Sequence, residues 1–196
     1  MGQRWEIALN TYKPFACGIV IHPAIDACVQ LRNRHGLSAD QVARIVVRAH
    51  PLVQELTGKK TPATGLESKF SVYHSCAVAI IHGRAGEHEY EDAVVNDPAV
   101  LALRSRVELV VDPAIHEASV DVRLETVDGR TLALFVERAV GSLEQPMSHA
   151  QLADKFIDQA APVLGLEQAR RGWELSLALA SQPDLQPLLS ALTPAA

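Results

Sequence analysis

The chain has 196 residues, 48% of them hydrophobic, with a formal net charge of −5 and an isoelectric point near 5.9. That length allows one sizeable core, or one compact domain with a helical appendage. There is no Lys/Arg run, no basic stripe interleaved with aromatics and no apolar stretch of the ~18 residues a membrane-crossing helix needs, so neither nucleic acid nor membrane is an expected partner.

Residues 1–15 read as an incoming segment: Trp5, Ile7 and Leu9 alternate with polar residues, and no turn or cap precedes them. The N-terminus lacks the apolar core of a signal peptide. An apolar run from Ala16 to Ile21 leads to Pro23, which opens a helix, since the first helical turn does not need its missing N–H. That helix carries Ile25, Cys28, Val29 and Leu31 and stops near His35-Gly36. Residues Asp40 to His50 alternate as a strand does, with Ala43, Ile45, Val47 and Ala49 on one parity. Pro51 to Leu56 makes about one helical turn, and Gly58 to Gly65 is a polar loop.

A helix is expected over Ser68–His82, with Tyr73, Cys76, Ala77, Ile80 and Ile81 as its apolar stripe. Two short acidic helical segments follow, near Glu87–Val94 and Pro98–Arg104. Arg106–Val111 is a strand, and Ser119–Thr126 and Arg130–Glu137 form a hairpin through Asp128-Gly129. After a loop from Val140 to Ser148 come helices only: His149–Leu164, capped by Ser148, then Leu166–Ala180 and Pro183–Leu192. The expected fold class is α+β, a two-layer domain with a roughly four-stranded, largely antiparallel sheet, followed by C-terminal helices. The expected division is 1–15, 16–145 and 146–196.

The three cysteines, Cys17, Cys28 and Cys76, form no C-x-x-C pair and cannot all pair with one another, which fits buried thiols in a reduced, cytoplasmic setting. His35, His50, His82, His88, His116 and His149 show no metal-ligand spacing, so no zinc site is expected. Phosphate-loop, dinucleotide-binding and nucleophile-elbow motifs are missing as well.

Three stretches carry a family resemblance: Lys13-Pro14-Phe15-Ala16-Cys17-Gly18 with His22-Pro23-Ala24-Ile25-Asp26-Ala27; Gly65 through Ala79; and Pro146-Met147-Ser148 leading to Asp154-Lys155-Phe156. Their order and spacing resemble the second domain of the MmgE/PrpD family and the helices after it. The resemblance implies a small lid-like α+β domain whose C-terminal helices return to a large helical N-terminal domain. It implies 2-methylcitrate dehydratase, cis-aconitate decarboxylase or iminodisuccinate epimerase activity on a small polycarboxylate, with no metal or cofactor, in a homo-oligomer. The helical domain is then expected from a parent polypeptide or partner chain, and this chain alone is an incomplete catalyst. The competing expectation is a non-catalytic α+β domain that self-associates or binds a carboxylate.

The resemblance places a catalytic lysine at Lys13. A lysine next to a carboxylate substrate serves as base when desolvated, or as the cation that stabilises developing charge. Pro14 restricts Lys13 to extended backbone, which helps to aim it. A solvated lysine before a loop proline is the competing reading. His22, at a helix start that favours neutral imidazole, is a second catalytic candidate, against a capping or structural role. His74 is the third: Ser71, His74, Ser75 and Val78 share one helical face, opposite the apolar stripe. Lys69 and Ser71, in the first turn, are candidate substrate-binding residues beside free backbone N–H groups. Lys59, Lys60 and Thr61 read as a solvated loop that is able to gate a site.

Overall fold

The computed structural model describes residues 2–194; Met1 and Ala195–Ala196, the ends of two expected segments, lie outside them. The chain divides between Pro146 and Met147 into two compact units. The first is the α+β domain expected from the sequence. Its sheet has the order β2-β1-β3-β4, with β1 Val42–Ala49, β2 Val107–Val111, β3 Val120–Thr126 and β4 Thr131–Val136. β3 runs antiparallel to both β1 and β4, whereas β2 lies parallel to β1. A parallel neighbour requires a long crossover, and residues 50–106 supply it with α2 (Pro51–Thr57), α3 (Gly65–Ser68), α4 (Val72–His82), α5 (Asp92–Val95) and α6 (Pro98–Arg104).

One face of the sheet is apolar. Ile45, Val47, Val122 and Leu124 are completely buried there, with α1 (His22–His35) packed on β3 and β4. The opposite face is a charged ladder in which Arg44 pairs with Glu108 and Glu125, and Arg48 with Asp112 and Asp121. This in/out alternation is what made the strands legible. A bulge at Ala43 interrupts it and turns Val42, which shares the parity of Arg44, to the buried side.

The helix expected over Ser68–His82 is two helices. α3 ends at Ser68, Lys69 and Phe70 form a turn, and Ser71 is the N-cap of α4, accepting from the His74 N–H at 3.1 Å. α4 packs against α1, α6 and β2 and is buried from Val72 to Ile80 except at Tyr73, so its Ser71/His74/Ser75 face is not an open polar face. Tyr73 and Ile81, both expected on the core stripe, are only half-buried.

The second unit holds α7 (His149–Leu164), α8 (Leu166–Leu177) and α9 (Gln186–Ala191). Ser148 and Gln151 form a reciprocal capping box at the start of α7. Phe156 and Trp173 meet at 5.7 Å between α7 and α8, and Leu192 lies over Gly172. No described helix is long and apolar enough to cross a membrane.

Candidate functional site

The segment preceding α1 is tied to the first unit by backbone bonds, Ala16 N–H to the Ala85 carbonyl and Gly18 N–H to the Lys69 carbonyl. Phe15 and Cys17 are buried below it, and a single turn of 3-10 helix, Ile19–Ile21, delivers the chain to α1. His22 is the first residue of α1. It is buried and stands edge-on to Phe15, with ring centroids 5.3 Å apart.

The loop after β4 closes on the same place. Its Val140 N–H donates to Asp26 Oδ2 at 2.9 Å, one turn along α1 from His22. Asp26 is buried, and its other oxygen accepts from Gln30 at 3.0 Å. Gly141 has φ +87°, and a Cβ there would lie 2.5 Å from the Tyr12 carbonyl oxygen and 2.6 Å from Pro14 Cδ. Only glycine fits a left-handed backbone at such close range. The loop is thus latched to α1 on one side and pressed against the Lys13 segment on the other.

Between these elements lies a cavity of about 140 Å³, lined among others by Tyr12, Lys13, His22, Pro23, Arg138 and Ser142. Lys13 is exposed there and makes no hydrogen bond or ion pair among the described residues. Arg138 was not singled out from the sequence. It is the second residue beyond β4, and its guanidinium donates through Nη1 to the Glu137 carbonyl at 3.0 Å, with Glu144 at 3.6 Å from Nε. The available signal was a cation opening a Gly-bearing loop directly after a strand.

The other three candidates lie outside this cavity. His74 is fully buried; its Nε2–H donates to the Glu89 carbonyl at 2.8 Å and its ring tilts against Tyr90. Burial pushes its pKa down to about 4, which keeps the imidazole neutral. Ser71 spends its hydroxyl oxygen on the α4 cap, and Lys69 pairs with Glu87 at 2.6 Å. In the Gly58–Gly65 loop, Lys59 pairs with Glu67. Cys17, close to the cations of Lys13 and Lys69, is nevertheless held as a thiol: burial pushes its pKa up to about 11. Among the described residues no three His, Cys, Asp or Glu side chains converge as metal ligands do.

Residues 15–181 match the model of the MmgE/PrpD C-terminal domain. The chain belongs to the MmgE/PrpD family. Its relatives include the 2-methylcitrate dehydratase of Cupriavidus necator, 31% identical over 64% of this chain and 28% of that protein. The 2-methylcitrate dehydratase of Escherichia coli K12 is 26% identical over 79% of this chain and 35% of its own length. Human cis-aconitate decarboxylase is 25% identical over 78% of this chain and 33% of its own length. The chain spans about a third of the length of these relatives. Within this MmgE/PrpD domain the matched region takes in His22, Arg138 and the Asp26 latch, and begins two residues after Lys13.

Proposed function

We propose that this chain is the C-terminal portion of a cytoplasmic MmgE/PrpD-type lyase or isomerase, 2-methylcitrate dehydratase-like, that removes a proton next to a carboxylate of a small di- or tricarboxylate. The observation that carries the reading is the cavity that brings Lys13 and His22 together. The names of the relatives support the substrate class, and the three free, buried cysteines support a reducing compartment. In this reading Lys13 takes up the α-proton when the closed site strips it of water, or stabilises as an ammonium the charge that builds on the carboxylate as the C–H bond breaks. His22, fixed by Phe15 and the start of α1, orients the same group. His74, bonded to the Glu89 carbonyl beside Tyr90 and outside that cavity, has a structural role in this reading. A helical N-terminal domain, on a partner chain or a parent polypeptide, supplies the opposing groups, and the working form is a homo-oligomer.

The test is exchange of the α-proton in deuterated water, with 2-methylcitrate and cis-aconitate as probes, for this chain alone and with a helical domain taken from a relative. Exchange should require both parts. Lys13→Ala should slow it about 10²–10⁴-fold, the usual loss for a positioned acid–base group; full exchange in that variant sinks the assignment. The second reading is a non-catalytic α+β domain that self-associates or binds a carboxylate without turnover. Binding with no exchange in any combination would select it.

A further inference from the structure

We propose that Arg138 determines specificity in the same cavity by holding a second carboxylate of the ligand, across from the one that Lys13 faces. The inference rests on the cavity being a carboxylate site and adds which ligands it selects. Four observations carry it. Lys13 and Arg138 line one cavity of about 140 Å³, and no Asp or Glu lies among its described lining residues. Two cations on the lining of so small a space favour an anion between them, and the carboxylate that pairs with Arg138, Glu144, is not among the lining residues. The guanidinium is only partly used. Nη1 is occupied by the Glu137 carbonyl, with His116 Nδ1 at 3.5 Å, and Nε faces Glu144 at 3.6 Å, whereas Nη2 has no hydrogen-bond partner among the described residues. Its two N–H groups are left to form charge-assisted bonds to a carboxylate.

The third observation is rigidity. The Asp26 bond to Val140 and the close approach of Gly141 to Tyr12 and Pro14 tie the Arg138 loop to the Lys13 segment, so the backbone segments that carry the two cations are held together before any ligand arrives. The fourth is size: a cavity of about 140 Å³ suits a small ligand such as a short carbon chain with an acid group at each end.

The experiment uses the whole chain and two probes of equal carbon number, succinate and butyrate, followed by NMR titration of the Val140 and Gly141 amides and the Arg138 Nε–H. Wild type should bind succinate more tightly than butyrate. Arg138→Gln should weaken succinate about 10- to 100-fold, the range for one charged hydrogen-bonded contact, and change butyrate less than about twofold. Arg138→Lys, which keeps the charge but loses the planar fork, should fall between wild type and Arg138→Gln. Native amide spectra of both variants establish that they fold. An unchanged succinate affinity, or equal losses for the two probes, overturns the role of Arg138 and leaves the carboxylate site standing. If wild type binds neither probe, the carboxylate reading itself falls, and this inference with it.

Discussion

His74 loses its water on folding, and its pKa drops from the ordinary 6.5 to about 4. The unfolded chain takes up a proton near pH 6.5 that the folded chain refuses until about pH 4. Between those values the unfolded state binds more protons, so the contribution of His74 to stability is complete above about pH 6.5 and is lost as pH falls toward 4. The loss is about 2 kcal/mol by about pH 5 and about 3 kcal/mol in full. In His74→Gln, whose amide can still donate to the Glu89 carbonyl, the drop in urea-derived stability from about pH 7.5 to 5 should shrink by about that 2 kcal/mol. An equal drop in both proteins would place the acid sensitivity elsewhere. Periodicity put His74 on a polar face because period 3.6 fixes which residues share a side, not what covers that side. Lys13 was singled out by the family resemblance and His22 by the apolar run and helix start beside it, and the structure puts both on the lining of one cavity. Arg138 was not singled out, because what brings it to them is a bond between Asp26 and Val140, 114 residues apart in the chain.

At the scale of elements, the sheet was readable and the helix at its centre only in part. β1 and β3 alternate because one face is buried and the other carries charge, β4 sets Leu132 and Leu134 against the exposed Thr131, Ala133 and Phe135, and Asp128-Gly129 marks the hairpin. The parallel partnership of β1 and β2 had no local mark, since it depends on how a crossover of more than fifty residues folds back. The break between α3 and α4 was hidden by Phe70 and Val72, which continue the apolar pattern through it. What marks the break is Ser71, and it has a measurable effect. Its hydroxyl oxygen is completely buried and satisfies the His74 N–H at the start of the most buried helix of the fold. Ser71→Ala removes that acceptor, leaves the N–H with no water to turn to, and should cost about 1–2 kcal/mol. For a chain of this length that is a fall in melting temperature of roughly 2–8 °C. A change under about 0.3 kcal/mol in chemical denaturation would mean that the cap is idle.

Over the whole molecule, the two units differ in how much each side chain is shielded. In the first, 29 of the described residues form one buried cluster running through α1, α4 and the inner face of the sheet. In the second, α7 has no fully buried residue over 16 positions, and α8 has two, Ala169 and Gly172. Val163, Leu166, Leu177, Leu185 and Leu189 are each at least half exposed. Helices of six to 16 residues are marginal in water unless an apolar face is covered. The capping box, the Phe156–Trp173 contact and the bond from Gln168 to the Thr193 carbonyl hold α7, α8 and α9 together, but these are few. Opening of α7–α9 should therefore need less free energy than opening of β1, β3 or α4, which exchange through global unfolding. Amide hydrogen exchange followed by mass spectrometry should show peptides from residues 149–191 exchanging at least about tenfold faster than those from 42–49, 72–82 and 120–126. Small additions of urea should leave that difference in place, because a local opening exposes little surface and has a shallow denaturant slope. Equal protection in both units, with a common steep slope, would show that they unfold as one and that the exposed leucines cost the second unit nothing.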